Sequence, residues 1–153
     1  MKKTLLAFLI SLKWLTGFSQ PWNIDSLKQA LTLAQADEDK VMILSNLSRL
    51  YAGAHTDTAL LLAHEALDLA QKINFMQGEA RALYQLGLAY RLLSDIPNSM
   101  RASLRGLQLA EEHELRQEAA LCNYSIGALY SDLLKDYPKA LSYLRKANQW
   151  NLP

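Results

Sequence analysis

Residues 77–90 read QGEARALYQLGLAY, and residues 117–130 read QEAALCNYSIGALY. The two stretches align from end to end, and the offset between them is a period of about 40 residues, a length typical of helical repeats. Agreement of several separate positions on one offset indicates an internal repeat rather than a chance match. The positions that agree best are Tyr84 with Tyr124, Leu86 with Ile126, Gly87 with Gly127, and Tyr90 with Tyr130.

The repeat extends on both sides of these stretches. Residues 66–70 read ALDLA and residues 106–110 read GLQLA, again one period apart, while a further copy, ALTLA, lies upstream at residues 30–34. A weaker copy of the first stretch also lies upstream, where Leu47, Ser48 and Tyr51 are spaced as Leu86, Gly87 and Tyr90 are. The chain therefore contains about three copies of one unit.

Each unit has the pattern of two helices joined by a turn. Apolar and small residues at spacings of 3, 1 and 3 from Leu83 to Tyr90 mark one face of an α-helix. Asp95-Ile-Pro97 and Asp136-Tyr-Pro138 then predict a turn, because Asp caps helices and Pro suits a first helical turn. In the first unit Thr56 and Asp57 are expected to supply the cap. The second helices are predicted at about 58–73, 97–113 and 137–150.

Small residues predict where the two helices of a unit approach each other closely. Gly87 and Gly127 lie inside helical patterns, where Gly costs about 1 kcal/mol relative to Ala, so we expect a packing reason for both. Pairs of small residues two turns apart also recur on the second helices, and side chains of that size let neighbouring helices pack tightly. These pairs are Ala59 with Ala66, Ser99 with Gly106, and Ala140 with Ala147.

The pattern resembles the tetratricopeptide repeat (TPR) family. Leu86-Gly87-Tyr90 and Ile126-Gly127-Tyr130 stand where that family has its Leu-Gly-Tyr signature. The family's usual tryptophan is absent, and units of about 40 residues resemble the longer repeats of bacterial sensor and regulatory proteins rather than the common 34-residue form. The resemblance covers about residues 22–151. It implies an all-α fold, a right-handed α-solenoid of helix-turn-helix repeats, with an N-terminal helix at 22–35 and repeats at about 40–73, 79–113 and 119–151.

Residues 1–19 have the features of a secretory signal peptide. Lys2 and Lys3 precede an apolar run from Thr4 to Leu12, and small residues at Gly17 and Ser19 predict a cut before Gln20. The run is shorter than the roughly 20 residues that a spanning helix needs. We therefore expect residues 1–19 to be removed and residues 20–153 to form an exported domain, in the periplasm or cell envelope. An uncleaved membrane anchor and a buried first helix remain alternatives.

No catalytic, metal-binding or cofactor-binding pattern stands out. The three histidines lack metal-ligand spacing, and His113 among glutamates has the pattern of a solvated helix end. Cys122 is the only cysteine and is expected to be a buried structural thiol. Without residues 1–19 the formal charge is about −2, which gives no electrostatic basis for binding nucleic acid. We expect a protein without enzymatic activity or cofactor.

The resemblance implies that the first helices line a concave groove that binds a protein or peptide. Arginine and tyrosine, both enriched at interfaces, recur in this predicted set, which would accept an extended or helical acidic segment. The alternative that the arginines are simply solvated stays open. The predicted groove residues are Met42, Ser45, Arg49, Arg81, Tyr84, Leu88, Arg91, Leu121 and Tyr124.

The last predicted helix differs from its equivalents in the other units. Asn148 replaces an apolar residue, as a solvated end of a repeat array requires, yet Trp150 and Leu152 keep the edge partly apolar. Either this edge docks on a partner near Trp150, or the protein continues beyond it. Two functions follow: a protein-binding module, or the sensory input region of a bacterial signalling protein such as a sensor histidine kinase or transcriptional regulator. Membrane association is expected only with an uncleaved signal or a longer chain.

Overall fold

The computed structural model describes residues 23–149, and this part of the chain is 85% helical without any β-strand. The prediction of an all-α fold is thereby confirmed. The predicted signal peptide, Trp150 and Leu152 lie outside the described residues. The described α-helices are α1 (Ile24–Leu33), α2 (Asp37–Tyr51), α3 (Thr56–Lys72), α4 (Met76–Leu92), α5 (Ile96–Glu112), α6 (Arg116–Leu129) and α7 (Tyr137–Gln149), with a π-helical turn at Tyr130–Leu134 before α7.

The helices pack in the order of the chain. Each helix contacts the one that precedes it and the one that follows it, and the first helices of successive pairs, α2 with α4 and α4 with α6, also touch. This gives a repeat-like arrangement in which α2–α3, α4–α5 and α6–α7 are the three helix pairs. Between residues 23 and 149, none of the helices combines the length and the apolar character needed to cross a membrane.

Four turns between helices share one backbone feature: a single residue after the helix end adopts the left-handed conformation. The residue that follows then donates its N–H back to a carbonyl in the last helical turn, as from Phe75 to Ala70 (2.9 Å) and from Leu115 to Ala110 (2.8 Å). This bond satisfies a carbonyl that the helix end would otherwise leave unpaired. The left-handed residues, with φ between 55° and 59°, are Asn74, Ser94, Glu114 and Lys135.

The predicted aspartate caps are confirmed, and the predicted cap of the first unit is wrong. Asp95 accepts a hydrogen bond from the backbone N–H of Asn98 (3.1 Å), and Asp136 accepts one from Lys139 (3.2 Å). Helix α3 instead begins at Thr56, after His55, whose side chain makes no capping bond. The Thr56 hydroxyl donates to the carbonyl of Ala52 (2.9 Å) and so holds the preceding turn rather than the helix N-terminus.

The π-helical turn accommodates one extra residue in the last unit. Tyr90 and Asp95 are five positions apart, whereas Tyr130 and Asp136 are six apart. In both turns the aspartate N–H still donates to the tyrosine carbonyl, at 2.9 and 3.0 Å. The additional residue widens the helix locally into a π-helix, so the closing hydrogen bond of the turn is kept despite the insertion.

The core consists of two apolar clusters between neighbouring helix pairs. The first core cluster contains residues of α2, α3, α4 and α5, and the second contains residues of α4, α5 and α6. Tyr90 and Tyr130, the repeated tyrosines at the ends of the two aligned stretches, are half-buried and pack against the margins of these clusters. The hydroxyl of Tyr90 lies 3.3 Å from His64, and the Tyr130 ring stacks on Tyr143 at 5.8 Å.

The small residues lie where the sequence pattern predicts close helix contact. A Cβ on Gly87 would collide with the hydroxyl of Ser103, and a Cβ on Gly127 would lie 2.8 Å from Cγ of Leu144. The paired small residues of the second helices are all buried: Ala59, Ala66, Ser99, Gly106, Ala140 and Ala147. The prediction that glycine serves close packing at residues 87 and 127 is confirmed.

Gly87→Ala should destabilise the fold. The added methyl group must displace Ser103, whose hydroxyl shares a buried hydrogen bond (2.8 Å) with Ser125. Overpacking costs up to ~3 kcal/mol, while the higher helix propensity of alanine contributes about 1 kcal/mol in the opposite direction. We therefore expect a net loss of about 1–2 kcal/mol in the free energy of unfolding. Urea titration measures this loss. Gly53→Ala is the matched control, because no atom lies within 4 Å of the added Cβ; equal losses for both variants would contradict the packing role.

Candidate functional site

A cleft of about 290 Å³ opens where α4, α6 and α7 meet. Residues on α6 that follow the helical spacing of three and four form most of its wall, because such residues share one helix face. Tyr84 of α4 and Ala147 of α7 complete the cleft, and three of its members belong to the groove set predicted from the sequence. The lining residues are Tyr84, Gln117, Ala120, Leu121, Tyr124 and Ala147.

The two tyrosines of the cleft have equivalent places in the repeat and different environments. Tyr84 is 8% exposed, whereas Tyr124 is 49% exposed. Burial raises the pKa of the Tyr84 phenol above its ordinary value, and Tyr124 and Cys122 raise it further; Arg49 and Arg81 act in the opposite direction. The two arginines thus lie near enough to Tyr84 to influence it. Tyr84 forms the floor of the cleft, and Tyr124 presents its ring to solvent at the rim.

Arg81 makes a partly buried ion pair between neighbouring first helices. Its Nη2 donates to Oε1 of Glu118 (2.6 Å), and the Gln77 side-chain amide donates to the same oxygen (3.2 Å). Glu118 is 2% exposed. A carboxylate buried to this degree needs charged or hydrogen-bonding partners, so Arg81 and Gln77 of α4 serve the packing of α6.

Arg91 and Arg49 differ in how their charges are compensated. Arg91 donates to Asp132 of the π-helical turn (2.5 Å), so its charge also joins α4 to the third helix pair. Arg49 is exposed, and none of the acidic side chains between residues 23 and 149 forms an ion pair with it. Arg49 is therefore the groove arginine whose charge is available to an external ligand.

The remaining predicted groove residues are spread over different surroundings. Met42 lines a separate cleft between α1 and α2. Ser45 is buried, and its hydroxyl has no hydrogen-bond partner among the described residues. Leu88 is half-buried on α4. The structure therefore brings Arg49, Arg81, Tyr84, Leu121 and Tyr124 into one neighbourhood and leaves Met42, Ser45, Leu88 and Arg91 outside the cleft.

The sequence pattern did not lead us to predict the glutamates that form ion pairs with arginines of neighbouring helices. Glu79 accepts hydrogen bonds from Arg105 of α5 (2.7 Å) and Gln71 of α3 (3.0 Å), whereas Glu118 accepts from Arg81 and Gln77 of α4. A signal was present, because an acidic residue follows Gln77 and Gln117 within two positions in both repeated stretches. A glutamate kept inside a pattern that is otherwise apolar and small indicates a buried ion pair.

The structure bears on two kinds of chemistry, metal binding and the reactivity of the cysteine thiol. Over residues 23–149, no group of three or more His, Cys, Asp and Glu side chains is placed to hold a metal ion. Cys122 is buried, as predicted, and burial raises the pKa of its thiol to about 12. At neutral pH such a thiol is protonated and shielded, and it therefore lacks the thiolate that acts as a nucleophile.

Comparison with known proteins gives no family assignment. The chain matches no protein-family model, and it has no significant match among curated proteins. Its function is therefore inferred from the geometry and the chemistry of the cleft and of the residues around it.

Glu118→Ala should destabilise the protein strongly, because it leaves the largely buried Arg81 guanidinium without its acidic partner. We expect a loss of about 3 kcal/mol in the free energy of unfolding, by urea titration. Asp37→Ala is the matched control: it breaks an exposed ion pair with Lys40 (2.7 Å) and should cost less than about 1 kcal/mol. A Glu118→Ala variant as stable as the control would show that the ion pair does not hold α4 and α6 together.

Proposed function

We propose that this chain is an exported, TPR-type right-handed solenoid that binds a protein or peptide partner in its groove and catalyses no reaction. The repeat pattern and the successive packing of the helix pairs support the solenoid, and the features of residues 1–19 support export. The observation that carries the binding function is the cleft at Tyr84 and Tyr124, with the uncompensated Arg49 beside it.

The cleft has the composition of a protein-binding site. Tyrosine and arginine dominate the energetics of protein interfaces, since a tyrosine ring provides a large contact area at a small cost in conformational entropy. Tyr124 offers an exposed ring, Leu121 and Ala120 provide apolar walls, and Gln117 supplies a polar group at the margin. These features suit an apolar or aromatic side chain of a partner segment.

The charges near the cleft favour an acidic partner. Arg81 and Arg91 are neutralised by Glu118 and Asp132, whereas Arg49 retains its positive charge. A carboxylate of the partner that reached Arg49 would form a charge-assisted hydrogen bond, which is roughly twice as strong as a neutral one. The partner is therefore a segment that combines an apolar side chain with an acidic one.

Tyr124→Ala and Arg49→Glu should each reduce partner binding without lowering the melting temperature, because both side chains are exposed. Tagged protein is isolated from the native cell envelope, and co-isolated proteins are quantified by mass spectrometry. Proteins that bind through the groove should fall by at least about tenfold with each variant. Leu61→Ala, an exposed apolar residue on α3, is the matched control and should leave recovery unchanged. If recovery of every partner is unaffected by both groove variants, the groove is not the binding site.

Export has its own test. The protein isolated from the envelope of cells that express the full chain should begin at Gln20, since the signal features predict a cut there. N-terminal sequencing or intact-mass measurement gives the result. A protein that retains Met1 and fractionates with the cytoplasm would contradict the export proposal, and one that retains Met1 in the membrane fraction would indicate an uncleaved anchor.

A further inference from the structure

Helix α7 carries an apolar face that no described helix covers. Leu141 is 50% exposed, and Tyr137 and Leu134 are also exposed beside it. An adjoining face of α7 is packed on α6, where Ala140 and Ala147 are buried. The exposed face is therefore distinct from the one that completes the groove cleft through Ala147.

The other helix pairs show what normally covers this face. In the alignment of the repeats, Leu60 of α3 and Met100 of α5 are the equivalents of Leu141. Both are half-buried and pack on core clusters that include residues of the next helix, α4 or α6. Leu141 is therefore more exposed than its equivalents in the two preceding helix pairs, which pack on clusters that include residues of the next helix.

The N-terminal helices α1 and α2 form a second open surface. A cleft of about 510 Å³ lies between α1 and α2, and the neighbouring Leu33 is 70% exposed. In the second unit, α4 contacts both α2 and α3, whereas α1 is the one described helix before α2 that contacts α2. The residues that line this cleft are Ala30, Leu33, Ala34, Asp39, Met42, Ile43 and Asn46.

The two open surfaces carry opposite charges. Helix α7 contains Lys139, Arg145 and Lys146 and no acidic residue, and Arg145 lies one helical turn from Leu141 on its exposed side. At the other surface, α2 begins with Asp37, Glu38 and Asp39, and only Asp37 is paired, with Lys40. Among the described residues, Arg145, Glu38 and Asp39 have no ionic partner, so their charges are available to each other across two molecules.

We propose that the exposed face of α7 binds the α1–α2 cleft of a second copy of this chain. Leu141 and Tyr137 of one copy enter the apolar cleft beside Leu33 of the other, and Arg145 approaches Asp39. The contact is heterologous, because it joins two different surfaces, and it leaves a free α7 face and a free cleft at the ends of every assembly. The copies therefore associate head to tail, continuing the repeat from one molecule into the next.

Variants with one added cysteine test the contact, and the chain suits them because its own Cys122 is buried with a raised pKa. Leu33→Cys and Leu141→Cys proteins, each purified as cells produce them from the full chain, are mixed and treated with a short bismaleimide. The head-to-tail contact predicts a cross-linked dimer in the mixture and little in either variant alone. A mixture of Leu61→Cys with Leu141→Cys is the control and should give no dimer, because Leu61 lies on the outer face of α3.

A charge exchange distinguishes this contact from nonspecific apolar association. Arg145→Glu in the Leu141→Cys protein, or Asp39→Lys in the Leu33→Cys protein, should each lower the yield of cross-linked dimer by about tenfold, and the two together should restore it. High salt should weaken association of the unmodified chain in sedimentation velocity, since exposed charges are screened.

Three results would overturn the proposal. Dimers of Leu141→Cys alone would indicate a symmetric contact between two α7 helices. Absence of cross-links together with a monomer at high protein concentration would show that the face binds no second copy. Cross-linking that is unaffected by both charge variants would assign the contact to nonspecific apolar aggregation.

Discussion

Three helices meet at Gly87, where the absence of a side chain on α4 leaves room for the serines of α5 and α6. The hydroxyl of Ser99 donates to the carbonyl of Gly87 (2.8 Å), and the hydroxyls of Ser103 and Ser125 share a hydrogen bond directly over it. One residue without a side chain therefore lets α4 contact both α5 and α6. Because a helix pair buries its apolar face only against its neighbours, this contact fixes the position of the cleft and of the surfaces around it.

Two ion pairs join the second and third helix pairs and leave fewer arginine charges unpaired. Glu118 holds Arg81 and Gln77 in the buried contact between α4 and α6, and the exposed Asp132 of the π-helical turn pairs with Arg91. Of the three arginines predicted to line the groove, two therefore form ion pairs within the fold. Arg49 alone among them has no ionic partner in the described part of the chain. Under the proposed binding function, specificity would depend on a single charge beside an apolar cleft, rather than on a broad basic surface.

The two proposed binding surfaces use different parts of the same repeat. The groove cleft is lined by α4, α6 and Ala147 of α7, while the proposed contact between copies uses the α1–α2 cleft and the Leu141 face of α7. A partner in the groove and a second copy at the ends would therefore not compete for the same residues. Association of copies would place several grooves in one line, and linked sites raise the apparent affinity for a partner that carries repeated segments.

Local sequence was enough to predict the helices, most of their caps and their close contacts. Asp95 and Asp136 cap helices where the pattern predicts caps, and Gly87 and Gly127 lie at close packing positions, because capping and small-residue spacing act within a few residues of the chain. The three-dimensional packing was needed to learn that Tyr84 is buried while Tyr124 is exposed, and that Arg81 pairs with the distant Glu118. Burial and ion pairing depend on which helix faces which, and that orientation is set by packing across the units rather than by local pattern.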